Sequence, residues 1–259
     1  MTDALIRVYW QPGCTSCLAA KQLLARHGIA FESINVRSHP GAMATLAALG
    51  ARSVPVVARA ERWIYAQDLT ELATFLGLTR PPAGLDACQL VSRIDALLTA
   101  AVSFVLQLPA SICEQAIAGR DDRTIIDIPF HIAQIAAGFL DAVQGGELNY
   151  AHFERRPQGV GRRTENVAQE LRHVHQRFSA WAETGCAADG IAANNSPLLR
   201  TYYGTKPLAA VLERSAWHIA QHARQLEHLL VGNGLQPTSQ LGDRELAGLP
   251  LPDGVWDAE

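Results

Sequence analysis

Val8-Tyr9-Trp10-Gln11-Pro12-Gly13-Cys14-Thr15-Ser16-Cys17 is the stretch whose reading decides the fold of the N-terminal part of this chain. The apolar run Leu5 to Trp10 reads as a strand, and Leu18 to Leu24 carries a helical pattern. The first sulfur therefore falls at a helix N-terminus. Unpaired amide N–H groups and the helix dipole favour a negative thiolate there. A Cys14 thiolate would attack a disulfide, and Cys17, one turn further on, is placed to resolve the mixed disulfide. The rival reading of a C-x-x-C is half of a zinc site, but no second C-x-x-C occurs to complete one.

Working outward, a second extended run spans Phe31 to Val36, and a helical stretch follows from Ala42 to Leu49. Ser53-Val54-Pro55-Val56-Val57 reads as a strand opening with proline, a position where proline is tolerated. A cis X-Pro bond there would turn a backbone edge toward the sulfur. The order β-α-β-α-β-(β)-α to about Leu78 is a small α/β unit. Cys14, Cys17, Val54-Pro55, Trp63 and the helix start Asp68-Leu69 resemble the glutaredoxin family, in particular its NrdH-like redoxin branch, over residues 5–78. The resemblance implies a thioredoxin-like fold, with Cys14 and Cys17 as the catalytic pair and Gln11, Val54, Pro55 and Asp68 in thiol-binding positions. Two departures stand out. Glutaredoxins usually carry a basic residue three before the first cysteine, where it meets a glutathione carboxylate; Gln11 is here instead. The usual Gly-rich turn before the aspartate is Ala66-Gln67, although Asp68 still suits an N-cap that would hold a ligand amine. The expected thiol is glutathione or another low-molecular-weight thiol, with a reductase protein as the alternative electron donor.

The chain has 259 residues, a net charge of −3 and 48% hydrophobic residues, which suits about two domains in a soluble protein. The near-neutral balance gives no case for nucleic acid. No apolar run reads as the roughly 20 residues that span a bilayer, so no membrane is expected. The N-terminus lacks a basic region, an apolar core and a cleavage site, which argues against export. The five cysteines are an odd count, and Cys88, Cys113 and Cys186 read as buried small hydrophobes in a reducing cytoplasm.

Thr79-Arg80-Pro81-Pro82-Ala83-Gly84 reads as a linker, after which helical periodicity takes over. One helix is expected from about Asp86 to Leu106, a second from about Arg123 to Val143, and a third from the cap Thr164-Glu165-Asn166. A fourth is expected from Thr205, with Pro207 in its first turn, to Gly232. Four amphipathic helices predict an all-α four-helix bundle. The expected organisation is a redox domain at 1–79, a linker at 80–86, a bundle at 87–232 and an extended tail at 233–259, where Trp256 packs and the prolines rule out a helix.

The bundle carries the second chemical feature. His218 and His222 stand at i and i+4, so both imidazoles project from one helical face, and His131 lies in the second helix. Facing helices of a bundle can aim such side chains at one metal, and three neutral imidazoles leave an open fourth position. The same spacing also fits a solvated or packed histidine pair. Pro129-Phe130-His131-Ile132-Ala133-Gln134 and Trp217-His218-Ile219-Ala220-Gln221-His222 resemble the DinB-like superfamily over about 86–232. That group includes bundle domains acting with bacillithiol or mycothiol, and the resemblance implies that His131, His218 and His222 hold one divalent metal, zinc or nickel. His152 sits in the loop between the second and third helices, within range of such a site. Arg155, Arg156, Arg162 and Arg163 in the same loop suit an acidic thiol or plain solvation. The two halves together predict a cytoplasmic thiol-dependent metalloenzyme, a transferase or isomerase acting on small-thiol conjugates. The alternatives are a disulfide reductase with a docking or metal-binding bundle, and a non-catalytic redox or metal sensor. The expected partners are a small-molecule thiol or thiol conjugate, a reductase protein and a second copy of the chain in a homodimer.

Overall fold

The computed structural model describes residues 5–79, 84–185 and 196–257. The chain divides into two units, Met1–Ala83 with Pro252–Glu259, and Gly84–Leu251.

In the first unit, β1 (Ile6–Trp10) is followed by α1 (Thr15–Arg26), β2 (Phe31–Asn35), α2 (Ala42–Ala48), β3 (Val56–Arg59), β4 (Arg62–Tyr65) and α3 (Leu69–Leu76). The sheet order is β2-β1-β3-β4. β1 runs parallel to β2, with Ile6 opposite Phe31 and Trp10 opposite Asn35. It runs antiparallel to β3, with Tyr9 opposite Val56, and β4 returns antiparallel along β3. This mixed sheet is the thioredoxin-like arrangement expected. Strand side chains alternate between faces, and the core divides accordingly. Ile6, Val8 and Val57 cluster with Ala20, Leu24, Leu72 and Leu76 of α1 and α3. Tyr9, Ile34 and Val56 cluster with Cys17, Ala42 and Leu46.

The second unit is largely helical. α4 (Ala87–Gln107), α5 (Ala110–Cys113), β5 (Ala116–Ile117), β6 (Arg120–Thr124), α6 (Asp127–Val143) and α7 (Ala151–Glu154) come first. A 3₁₀ turn at Gly159–Arg162 leads to α8 (Thr164–Gly185), β7 (Leu198–Thr201), β8 (Gly204–Pro207), α9 (Leu208–Gly232) and α10 (Asp243–Leu246). The four long helices pack on one another, α4 and α6 each against both α8 and α9. Leu97, Leu98, Phe104, Ile132, Phe139, Leu171, Phe178 and Leu226 fill the space between them. Asp86 is the N-cap of α4: its carboxylate accepts from Gln89 N–H while the Gln89 side chain accepts from Asp86 N–H.

Several expectations need correction. The helical region is not all-α among the described residues, because β5–β6 and β7–β8 form two antiparallel hairpins. Helix two therefore starts at Asp127 rather than Arg123, with Asp127 accepting the Thr124 N–H and closing the turn. Helix four starts at Leu208, with Pro207 as its N-cap. The hairpin turns rest on Gly119 (φ 71°) and Gly204 (φ 114°), positive angles that other residues rarely adopt. Between Gly204 and Leu208, Thr205, Lys206 and Pro207 pair with β7 instead of winding into α9. One helix, α4, is long and apolar enough by length and composition to cross a bilayer, contrary to the reading above. Half of that window is buried inside the fold, and Arg93 and Asp95 interrupt it, as befits a helix packed on α8 and α9. Cys113 is buried but Cys88 is exposed, and Cys186 lies outside the described residues, as do 80–83 of the expected linker.

The tail includes one helical turn, α10, capped by Gly242 N–H donating to the Glu245 carboxylate. Arg93 donates to the carbonyls of Arg244 (2.6 Å) and Ala247 (3.3 Å), tying this turn to α4. From Pro252 the tail belongs to the first unit. There Asp253 N–H donates to Gln22, Arg26 pairs with Asp253, and Asp257 pairs with Lys21 at 2.8 Å. Trp256 is half-buried within that segment.

Candidate dithiol and three-histidine sites

Cys14 is the N-cap residue of α1, in extended backbone. It is joined to Cys17 as a disulfide, with the two Cα atoms 5.2 Å apart. The Cys17 N–H points at the Cys14 sulfur at 3.3 Å, and no acidic residue occupies the first turn of α1. Any negative charge on that sulfur therefore meets a backbone donor and a helix N-terminus. Cys14 keeps part of its surface, whereas Cys17 is buried in the core. Cys14 is therefore the sulfur that an outside group can reach, and Cys17 lies behind it.

The Val54–Pro55 peptide is cis. Val54 lies in the cluster that holds Trp10 and Cys17 and against which Cys14 packs. Pro55 C=O accepts from Ala66 N–H at 3.0 Å, and Gln67, itself buried, donates to Val54 C=O at 3.0 Å. Gln67 was legible only as a departure from a glycine turn. In the structure its amide braces the proline loop, a role that needs the loop to be folded first. Asp68 caps α3, accepting from Thr70 N–H (2.8 Å) and Glu71 N–H (3.1 Å) through one oxygen. Gln11 lies two residues ahead of the Gly13 turn and is half-buried. Lys21, on α1, places its ammonium 3.7 Å from the centre of the Trp10 ring.

In the second unit, His131 of α6 meets His218 and His222 of α9, and a ring nitrogen from each lies within 4.8 Å of the others. The centroids are 5.3 Å apart for His131–His218, 4.9 Å for His131–His222 and 5.0 Å for His218–His222. His218 and His222 are each 6% exposed. His131 retains some surface as a residue, although its ring is enclosed by protein, edge-on to Phe153 and both other imidazoles. Burial lowers all three from the ordinary histidine value, His222 to about 4. The His222 charge lowers His131 further, and the Arg214 guanidinium does the same to His218. The three imidazoles are therefore neutral at physiological pH, the form in which nitrogen ligates a metal.

The donor set fits a divalent ion. His222 Nδ1 lies 2.7 Å from Gln225 Oε1, so with the proton on Nδ1 the Nε2 lone pair is free to ligate. His218 Nδ1 is buried without a hydrogen-bond partner among the described residues. Packing three neutral imidazoles together with an unsatisfied nitrogen costs desolvation energy that no protein group here returns; coordination would return it.

A lining of aromatic and basic groups surrounds the cluster. Phe153 of α7 packs on His131 (5.2 Å) and His218 (6.0 Å), and Tyr150 and Tyr202 pack on Phe153. Arg214, one turn before His218 and 2% exposed, lies over Phe153, Tyr202 and Tyr203 and donates to the Tyr202 hydroxyl. The loop carrying Phe153 approaches α6 closely at Gly138: a Cβ there would lie 2.6 Å from Leu148 Cδ1 and 3.2 Å from His152 Cγ. Leu148 is bridged to β7 through Leu148 N–H to Arg200 C=O and Tyr202 N–H to Leu148 C=O. His152 does not join the cluster. Its nitrogens are taken by Asp141 (3.0 Å) and the Asn149 carbonyl (2.9 Å), pinning the loop to α6. Of the loop arginines, Arg162 pairs with Glu114, and Arg156 lies with Phe153.

The glutaredoxin family profile matches residues 6–64, the span of Cys14, Cys17 and the cis proline. Glutaredoxin-like protein NrdH of Salmonella typhimurium is 40% identical over 52 residues, which are 20% of this chain and 64% of that protein. The chain thus spans just under two thirds of the length of that curated relative. No solved structure matches the chain. The N-terminal unit is a glutaredoxin-like, thioredoxin-fold redox domain, followed by a largely helical region.

Proposed function

We propose that this chain is a thiol-dependent metalloenzyme in which the glutaredoxin-like unit performs thiol–disulfide exchange and the helical unit, as a DinB-like bundle, holds one divalent metal on His131, His218 and His222. The observation that carries the reading is the pairing, in one polypeptide, of a helix-capping Cys14–Cys17 disulfide with three enclosed, neutral imidazoles whose nitrogens converge.

Thiol–disulfide exchange needs only the two sulfurs and an outside thiol reductant. In the dithiol form, the Cys14 thiolate attacks one sulfur of a disulfide R–S–S–R, forming Cys14–S–S–R and releasing one RS⁻. The Cys17 thiol loses its proton and its sulfur attacks Cys14 Sγ, releasing the second RS⁻ and leaving the Cys14–Cys17 disulfide. Two equivalents of a low-molecular-weight thiol, or the dithiol of a reductase protein, return the two electrons. Gln11, Val54, Pro55 and Asp68 are the groups positioned to bind the incoming thiol. Gln11 in place of a basic residue points away from strict dependence on a glutathione carboxylate.

A metal on the three histidines would supply Lewis acidity and lower the pKa of a bound water or thiol. His131, His218 and His222 would hold it, Gln225 would keep His222 in the ligating tautomer, and Phe153, Tyr150 and Tyr202 would wall the site from water. The chemistry that joins both units is transfer or isomerisation using a small thiol as nucleophile. Such a thiol is useless as its own disulfide, and the redox unit regenerates it. The expected setting is cytoplasmic.

The test uses the full chain. Cys14→Ser should abolish reduction of a small mixed disulfide, and Cys17→Ser should accumulate the Cys14 mixed disulfide, seen by mass. Zinc titration of chelator-treated protein should saturate at about one ion per chain and fail in His218→Ala. Zinc uptake unchanged in His218→Ala removes the metal site and leaves a disulfide reductase with a docking bundle.

A further inference from the structure

Two arginines beside the histidine cluster share one backbone carbonyl. Arg123 Nη2 donates to Phe153 C=O at 2.9 Å, and Arg156 Nη1 donates to the same oxygen at 3.2 Å. Arg156 makes its other hydrogen bonds to the carbonyls of Glu154 and Arg155. Arg123 Nε is buried with no hydrogen-bond partner among the described residues. Among the described residues neither guanidinium forms an ion pair within 4 Å. Of the nearby carboxylates, Asp122 takes a two-pronged bond from Arg120, and Asp127 accepts Thr124 N–H through one oxygen while the other lies 3.9 Å from Arg162, so Asp127 offsets the two guanidinium charges without a hydrogen bond to either among the described residues. Two like charges are held against one carbonyl in a partly desolvated place, offset only through space by Asp127 and Asp122, and a bound anion would add the direct hydrogen bonds that neither carboxylate makes to them. Burial and the charges of Arg156 and Arg120 push Arg123 down to about 10, against the opposing pull of Asp127 and Asp122.

The position of the pair gives it meaning. Phe153, whose carbonyl both arginines hold, turns its ring onto His131 and His218. Tyr150 and Tyr202 pack around that ring. An anion held at the arginines would therefore sit on the backbone of the residue whose ring lies against the histidines, with an aromatic cluster between the two.

We propose that Arg123 and Arg156 form an anion subsite beside the three-histidine cluster, taking the carboxylate of a small organic substrate or thiol conjugate. The planar, two-oxygen fork of a carboxylate suits guanidinium donors, and the aromatic lining favours an organic body over a bare oxyanion. This inference takes its place in the reaction from the metal-site reading above, and its test can fail separately.

The probes are benzoate, its uncharged analogue benzamide, and inorganic phosphate, titrated into chelator-treated full-length protein and followed by calorimetry or ligand-observed NMR. Benzoate should bind at least about tenfold more tightly than benzamide, and Arg123→Gln and Arg156→Gln should each weaken benzoate by about tenfold or more, the usual cost of a lost charged hydrogen bond. Arg156 lies on the loop after α7, so its variant serves if Arg123→Gln fails to fold. Equal binding of benzoate and benzamide, or unchanged binding in both variants, overturns the subsite. Phosphate binding as tightly as benzoate overturns the assignment of an organic carboxylate. Zinc titrations on the same samples separate the two readings: benzoate binding without zinc uptake removes the metal site and keeps the subsite, and zinc uptake without benzoate binding does the reverse.

Discussion

Lowering the pH of the metal-free protein should destabilise its helical unit through the three histidines. Each has a folded-state pKa below its unfolded value, because burial disfavours the imidazolium. The unfolded chain then binds protons that the folded chain refuses. Stability is full above the unfolded pKa near 6.5 and falls as pH drops below it. For His222, with its pKa at about 4, the difference is fully expressed only below that value. At pH 5 the loss from His222 alone is about 2 kcal/mol, at 1.36 kcal/mol per pKa unit. His131 and His218 are also lowered well below the ordinary histidine value and add to it. In a unit of this size, about 2 kcal/mol corresponds to roughly 4–8 °C in Tm. The assay is thermal unfolding by helical ellipticity from pH 7.5 to 5, after chelation, for wild type and His222→Gln. The variant should show a shallower fall with pH by about that amount, since glutamine cannot charge. Zinc should flatten the wild-type curve, because ligated imidazoles do not protonate and an ion binding only the folded state stabilises it. A metal-free wild type as stable at pH 5 as at 7.5, or an equal slope in His222→Gln, would refute the reasoning.

Asp257→Ala should loosen the redox unit. Asp257 is 3% exposed and pairs with Lys21, whose ammonium rests on Trp10; stranding that lysine should cost about 3 kcal/mol, read as faster hydrogen exchange across β1 and α1, and unchanged exchange would show that the tail does not hold them. Gly138→Ala should destabilise the helical unit by about 1–2 kcal/mol from overpacking, although alanine favours a helix by about 1 kcal/mol. The new Cβ meets buried Leu148 and the ring of His152, so a rise in Tm would mean that the loop is not seated on α6.

The first unit was readable because its signals are local. The apolar run Leu5–Trp10, the helix start at Cys14 and the proline just before β3 are each set within a few residues, and β1 and α1 lie where those signals put them. The four long helices were readable for the same reason, since a 3.6-residue period persists over many turns. The hairpins were not. Arg120–Thr124 is the polar run Arg-Asp-Asp-Arg-Thr, with no strand-like alternation, and it is a strand because Gly119 turns it back on Ala116 and Ile117. The tail was misread in part because proline argues only about its own neighbourhood. Asp243–Leu246 precedes the Leu249-Pro250-Leu251-Pro252 run and is free to wind into α10.

The same division runs through the candidate site. Arg214, His218, His222 and Leu226 are four apart on α9, so a single helical stripe carries them, and three of these are polar groups in an otherwise buried face. A stripe of that kind is visible in any sequence, and it named two of the three histidines without a structure. Its partners arrive by another route. Arg123 comes from β6 and Arg156 from the loop after α7, and what unites them is an oxygen, the Phe153 carbonyl. Backbone carbonyls leave no trace in residue identity, so a site assembled on one cannot be read from spacing. Phe153 in turn reaches the histidines because Gly138 lets the loop lie close and because His152 is held by Asp141 and Asn149. His152, read from sequence as a group within range of a metal, thus serves the site by position: with both ring nitrogens occupied it fixes the adjacent Phe153, and through it the place where two guanidinium groups on one carbonyl stand beside three neutral nitrogens.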